Sequence, residues 1–392
     1  MASSLSLLVV ADPYSIHDKK KLIALSQLGW TCHLLPLGRS AALRNEIPDE
    51  IVIHSPLPEF SIRYFFRTLK TAFAVRKLIR ANKIDAVLTL YIEPSALWSI
   101  FSPLWGIPSV LFAYGTDALK GIPAHFRRKD LLNLLIQQFY RLAFRMSAQL
   151  ICTSRTQIES IERCLAPQQL SPIPVLIRTG IDIEKLESRI IRANQIDAPY
   201  LLFPRTMAPI YNHEFCLQAI SHLPIEIRRK FRFVFVNHDS SLHDYVRSIE
   251  QEISQIDADI LFLKSQSQEE MMNLYQHSSA VVMTPLSDGS PVSAMEAMFF
   301  DKPLILGPLP YDLDLFSPPV YILKNWSTTE LSSVIAQALA GNLYRQNGVL
   351  HTRAKVMCDA KREMLRLHEI LHSAVMQGLQ DRQVRDGKSR TT

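Results

Sequence analysis

Ten short apolar runs set the architecture of this 392-residue chain. The first five are LSLLVVA (5–11), TCHLLPL (31–37), DAVLTLY (85–91), SVLFAY (109–114) and QLICTS (149–154). The second five are YLLFP (200–204), FRFVFVN (231–237), DILFLK (259–264), AVVMTP (280–285) and KPLILG (302–307). Helical patterns separate them. A run that is apolar throughout, instead of alternating, suits a strand buried on both faces, and strands spaced by helices form parallel sheets. Two such series predict two doubly wound, Rossmann-like α/β domains. The strand pattern lapses and charge appears between Thr179 and Pro199, which marks the boundary. Only twelve glycines occur and none forms a G-x-G-x-x-G array, so a dinucleotide fingerprint is absent.

The end of the chain reads as helix from about Asn342 to Gln377, because Met357, Ala360, Met364, Leu367, Leu371 and Ala374 recur at intervals of three and four. The polar residues 380–392 read as a frayed tail. Within the helix, His368-Glu369-Ile370-Leu371-His372 matches H-E-x-x-H, the spacing that puts two imidazoles one helical turn apart with a glutamate as base in zinc hydrolases. No glutamate or histidine follows His372 as a third ligand, and both histidines fall on the flank of the apolar stripe. The bland alternative is a packed helix interface.

The composition, 47% hydrophobic and 20% charged, is that of a globular chain with a sizeable core. Five scattered cysteines without a CxxC pair read as reduced thiols of a cytoplasmic protein. The first residues suit a strand better than a signal peptide, and acidic residues and prolines interrupt the most apolar stretch, 84–114, so no membrane-spanning helix is expected. Charge is uneven. Residues 1–190 hold 23 Lys and Arg against 15 Asp and Glu, or +8, and the remainder 20 against 22, or −2. Basic and large apolar residues interleave at 63–83 and 125–146, a pattern of solvated amphipathic helices or of peripheral contact with an anionic membrane. No recognised nucleic-acid motif accompanies the charge, so nucleic-acid binding is not expected.

Ligands of open α/β sheets bind at the carboxyl ends of strands, which directs attention to TPLSDGSPVSAMEAMFFDKPLIL (284–306). Here a strand leads into a loop with Asp288 and Gly289, then a helix starting near Pro291. Proline is pre-organised for a first turn, and the N–H groups of Val292, Ser293 and Ala294 would be open donors at the positive end of the dipole. Asp288 and Glu296 could face one ligand at different depths. A purely structural account makes Asp288 a cap and Glu296 a solvated helix residue.

Asp288-Gly289-Ser290-Pro291 with Glu296-Ala297-Met298 resembles the acidic-x7-acidic motif of the retaining glycosyltransferases of family 4. The likeness continues elsewhere: 11–35 resembles the family's opening strand and helix, and VLFAYGTD (110–117) its H-G-S-D segment. PVLIRTGIDIEKL (174–186) resembles the interdomain run, FPRTMAPIYNHE (203–214) the arginine-containing loop, and 269–283 the approach to the acidic motif. The resemblance implies a GT-B fold, two Rossmann-like domains facing a cleft, with the C-terminal helix crossing back to the N-terminal domain. Residues 1–187 would bind the acceptor, 188–342 the nucleotide-sugar donor, and 343–379 would form the crossing helix. It implies retaining transfer from a UDP- or GDP-linked sugar to a glycan or lipid-linked acceptor in polysaccharide or glycolipid synthesis, in the cytoplasm or on the inner face of the membrane, without a metal or other cofactor. Arg205, with Lys264 as a further cation, would hold the pyrophosphate. Val292, Ser293 and Ala294 would offer amides, and Glu296 would accept from the ribose. Asp288, Gly289 and Ser290 would lie against the donor sugar. On the acceptor side, Asp117 would be a base or hydrogen-bond partner, with Ser15, His17 and Tyr114 beside it. Capping of a turn by Asp117 and an ion pair at Arg205 are the structural alternatives. The chain departs from the family at Ile210, in place of a frequent lysine, at Ser15-Ile16-His17, in place of a glycine pair, and at Tyr114, in place of histidine. These departures leave open a non-catalytic nucleotide-sugar-binding protein.

Overall fold

The computed structural model describes residues 4–13, 15–36, 47–57, 65–93, 95–165, 172–188, 193–236, 242–344 and 347–389. The described chain divides into two units. The first comprises the residues up to Thr179 together with those from Lys361 onward, and the second is Gly180–Ala360.

In the first unit seven strands form one parallel sheet: β1 (Ser6–Ala11), β2 (Thr31–Pro36), β3 (Val52–Ile53), β4 (Ala86–Leu90), β5 (Ser109–Ala113), β6 (Gln149–Cys152) and β7 (Val175–Leu176), in the order β3-β2-β1-β4-β5-β6-β7. Both faces are covered, which explains the unbroken apolar runs. Leu7, Val9 and Ala11 pack with Leu22 and Leu25 of the helix Ile16–Gln27. On the other face Leu8 and Val10 pack with Ala72, Val75 and Ile79 of the helix Phe65–Ala81.

The second unit repeats the scheme with six parallel strands: β8 (Tyr200–Phe203), β9 (Arg232–Val236), β10 (Asp259–Leu263), β11 (Ala280–Met283), β12 (Leu304–Leu306) and β13 (Tyr321–Ile322), ordered β10-β9-β8-β11-β12-β13. Parts of the sequence reading at positions 14, 37, 63–64, 189–192, 237 and 390–392 lie outside the described residues.

The terminal helix differs from its sequence pattern. The structure has two helices, Val349–Met357 and Ala360–Ser389, separated at Cys358-Asp359. The cause is a backbone exchange with Ile181, whose N–H donates to Cys358 O (2.7 Å) and whose carbonyl accepts from Ala360 N (3.0 Å). The apolar stripe consequently serves two cores. Met357 packs with Leu350, Ala354 and Cys358 in the second unit, whereas Met364, Leu367, Leu371 and Ala374 pack in the core that β1 and β4 share in the first. Helical structure also continues to Ser389, past residue 379. Among the described residues no helix is long and apolar enough to cross a membrane.

Candidate functional site

In both sheets the strand order reverses beside the first strand, between β1 and β4 and between β8 and β11. Loops leaving the carboxyl ends of such neighbours diverge to opposite faces and leave room for a ligand. In the second unit Arg205 follows β8, and the loop carrying Asp288 follows β11. Arg205 Nη2 lies 3.2 Å from Asp288 Oδ2, with the two side chains 21% and 11% exposed. Its Nη1 is 3.5 Å from Ser293 Oγ, and its guanidinium stands 4.2 Å from the centre of the Tyr211 ring. An ion pair this enclosed is screened far less than a surface pair. Burial works against the charge on Arg205, but Asp288, then Tyr211 and Tyr275, outweigh it and raise its pKa. For Asp288 burial dominates and raises the carboxyl above its usual range, while Arg205 pulls it down.

The backbone shapes the rest of this edge. Ser290 N–H donates to Asp288 Oδ1 (3.3 Å), tying the loop into a tight turn before the helix Val292–Phe299. The Ala294 N–H, open on the sequence reading, donates to Pro291 O (3.0 Å). Val292 and Ser293 therefore hold the amides at the helix start, with no helical carbonyl below them. Glu296, half-buried, lies beside the Tyr275 hydroxyl, whose pKa is driven up first by burial and then by that charge. Tyr311 is buried, and its hydroxyl has no hydrogen-bond partner among the described residues; nor have Thr206 Oγ1 and Ser290 Oγ. Lys264 stands apart. It follows β10, the edge strand, and is exposed.

His213 supports this edge from beneath. It is 2% exposed, with Nε2 3.3 Å from Arg205 O and Nδ1 3.4 Å from the Tyr245 hydroxyl. Burial lowers its pKa from 6.5 to about 4. Because the folded value is the lower one, the neutral ring's contribution is complete above pH 6.5 and is lost as pH falls toward 4, up to about 3 kcal/mol. Asp18 and Asp117, raised to about 6 and about 7, oppose this trend, since the folded state takes up their protons first. The check is therefore a difference. Urea unfolding of wild type and His213→Gln should diverge above pH 6.5 and converge near pH 4; parallel curves would remove His213 from the pH dependence.

At the edge of the first sheet, Ser15 Oγ caps the helix Ile16–Gln27 by accepting from Asp18 N (3.3 Å), and Tyr114 donates to Asp18 Oδ1 (2.7 Å). Lys21, buried beneath the Phe112 and Tyr114 rings at 4.8 and 4.9 Å, is lowered to about 8 by burial. Asp117, 5% exposed, accepts from Ile92 N (2.7 Å) and Ala118 N (2.8 Å), joining the chain after β4 to the π turn Asp117–Gly121. Burial raises it to about 7 despite those bonds. The carboxylate thus has a structural duty whatever else it does. Ser15 and Tyr114 are brought together with Asp18, through Tyr91, whose hydroxyl is 3.5 Å from Ser15 Oγ and whose ring centre is 4.5 Å from that of Tyr114. His17 is exposed.

The H-E-x-x-H stretch lies in the helix Ala360–Ser389. His368 Nδ1 accepts from the buried Trp30 indole (2.9 Å), and the His368 and His372 rings lie 6.3 Å apart. Among the described residues no group of three or more His, Cys, Asp or Glu is placed to hold a metal ion. The stretch takes part in packing, since Leu371 within it and Leu367 just before it are both fully buried.

Sequence reasoning missed Tyr211, Tyr275, Tyr311 and His213. Tyr311 had a usable signal, since it follows β12, next to β11. Tyr211 stands beside Ile210, where the chain departs from the family pattern; its ring provides Arg205 with a cation–π seat where the family places a second cation.

The chain resembles known proteins in family and in fold. Residues 6–154 match the family described as glycosyl transferase 4-like, and residues 185–351 match glycosyl transferases group 1. No curated protein sequence matches the chain. Among solved structures, a glycosyltransferase from Rickettsia africae superposes with a TM-score of 0.76 at 14% identity, over 95% of this chain and 99% of the other. Anabaena HepE in complex with UDP and glucose gives 0.69 at 15%, over 94% and 100%, and sucrose-phosphate synthase from Thermosynechococcus elongatus 0.69 at 14%, over 94% and 98%. These likenesses establish the GT-B fold. With the two family matches together spanning most of its length, the chain belongs to the group 1, family 4-like glycosyltransferases.

Proposed function

We propose that the enzyme transfers a sugar, with retention of anomeric configuration, from a nucleoside-diphosphate sugar to a glycan or lipid-linked acceptor. The observation that carries this reading is the enclosed Arg205–Asp288 pair at the strand reversal of the second sheet, beside the start of the helix Val292–Phe299. A pyrophosphate leaving group gathers negative charge as the glycosidic bond breaks. Arg205 and the amides of Val292 and Ser293 meet that charge from fixed positions, which is where pre-organised electrostatics contribute most. Asp288, with Gly289 and Ser290, orients a donor-sugar hydroxyl and stabilises oxocarbenium-like charge, and Glu296 accepts from the ribose. The acceptor oxygen bonds to the anomeric carbon on the face from which the phosphate leaves. Its proton passes to the departing phosphate oxygen.

Residues 188–342 on this reading are the donor side and 1–187 the acceptor side, where Asp117, Ser15 and Tyr114 border the acceptor. HepE, similar in fold, is known in complexes with UDP and with UDP-glucose, which favours a uridine donor. Polysaccharide or glycolipid assembly at the inner membrane face is the setting that a lipid-linked acceptor supplies.

Thermal unfolding across a panel of nucleotide sugars identifies the donor, because a ligand of the native state raises the midpoint by mass action. The selected donor should then release nucleoside diphosphate on turnover, and Asp288→Ala should abolish release while the chain stays folded. Binding without release in wild type would identify a non-catalytic nucleotide-sugar protein. Unchanged release in Asp288→Ala would move the reaction to another site.

A further inference from the structure

The helix Leu131–Met146 is built the wrong way round for one facing water. Polar Asn133 and Gln137 are turned inward with Tyr140, Ala143 and Phe144. On the opposite side, at about 100° per residue, Leu131, Leu135 and Leu142 form one stripe, 75%, 46% and 43% exposed. Leu132 and Leu134 flank it at 50% and 44%. Single exposed leucines are ordinary, but four within the first five residues of one helix, with Leu142 beyond Gln138 on the same side, mark a contact surface.

Charge identifies the partner. Arg127, Arg128 and Lys129 precede the helix, and Arg141 and Arg145 lie along it. Asp130 is the one acidic residue between 122 and 148, and its oxygens are engaged by the Asn133 amide (3.1 Å) and side chain (2.6 Å). The helix Phe65–Ala81 covers the same sheet face, since Ala72, Val75 and Ile79 share a core with Phe139. It exposes Phe66 (81%) and Phe73 (55%) among Lys70 and Lys77, and no acidic residue occurs from 65 to 84.

We propose that these two helices dock the enzyme on an anionic lipid bilayer, with the leucines and phenylalanines entering the boundary below the headgroups and the lysines and arginines meeting lipid phosphates. A second copy of the chain would bring the same cationic rim against itself, which like-charge repulsion opposes. A nucleic acid would satisfy the charge and leave the leucines in water. The inference draws on the proposed function only for the lipid-linked class of acceptor; the surface stands without it.

The test is co-sedimentation of the full chain with phosphatidylglycerol and with phosphatidylcholine vesicles. At low salt the wild type should bind the former and only weakly the latter. Binding to phosphatidylglycerol should fall about tenfold in Leu131→Asp/Leu135→Asp and by a similar factor in Lys129→Glu/Arg145→Glu, with unfolding midpoints unchanged because these side chains are exposed. No binding at low salt overturns the proposal, and so does equal binding by wild type and the leucine variant. A concentration-dependent dimer that the leucine variant loses, without vesicle binding, assigns the surface to self-association instead. Donor turnover retained alongside any negative result removes the membrane contact alone, whereas vesicle binding without turnover removes the transferase reading alone.

Discussion

Arg205→Met should lower nucleoside diphosphate release by about two to three orders of magnitude, the scale set by removing one pre-organised charge partner of a transition state. The companion variant, Asp288→Asn, should cost more in stability, and the reason lies in the different ways the partners can escape charge. Burial already raises the Asp288 carboxyl. Without Arg205 it rises further, so the folded protein takes up a proton there as pH falls and the penalty fades. Above its folded pKa the carboxylate remains buried and unpaired, so the loss grows with pH, to about 2 kcal/mol for a pair that retains some exposure. Arg205 has no such exit, because guanidinium stays protonated, so Asp288→Asn should cost about the same at pH 5 as at pH 8. Urea unfolding of both variants at the two pH values, beside donor turnover, checks the argument. A loss of stability in Arg205→Met that is independent of pH would show that Asp288 does not depend on this cation.

All ten strand runs read from the sequence form strands, nine of them almost wholly buried and β10, at the sheet edge, only partly so, because each carries its apolar pattern without help from distant residues. The three missed strands, β3, β7 and β13, are two residues each, too short to hold any periodicity. The single terminal helix was misread for a different reason. Its spacing continues through Cys358-Asp359, and only the distant Ile181 backbone breaks it.

At the candidate site, Arg205, Asp288 and Ser293 were legible as a group because all stand past the carboxyl ends of β8 and β11, which the strand order places side by side. The same rule selected Lys264, but a rule based on strand ends cannot tell a central strand from an edge strand. Tyr211, Tyr275 and Tyr311 were illegible because an aromatic residue looks the same in sequence whether its ring fills a core or seats a guanidinium. Asp117 exposes another limit. Its carboxylate engages the backbone after β4, a partnership made by tertiary structure and invisible to spacing.

Gly180→Ala should destabilise the second unit by about 3 kcal/mol or more. Gly180 has φ of +70°, a left-handed conformation that costs a residue with a Cβ about 1–2 kcal/mol. A Cβ would also stand 2.7 Å from Ala360 Cα, 2.8 Å from Ala360 N and 2.9 Å from Cys358 O. All three are backbone atoms, so no rotamer change relieves the clash. Relief requires the segment after Gly180 to part from Cys358 and Ala360, which breaks the Ile181 N–H to Cys358 O bond and the Ala360 N–H to Ile181 O bond. Those bonds hold the chain where it enters the second unit against the chain where it leaves. Losing them should remove the break that ends one helix at Met357 and starts the next at Ala360. Amide hydrogen exchange locates the effect: Ile181 and Ala360 should lose protection together in Gly180→Ala, ahead of β8 and β11. If the unfolding midpoint and these two amides are unchanged, the Ile181 bridge is not what interrupts the terminal helix.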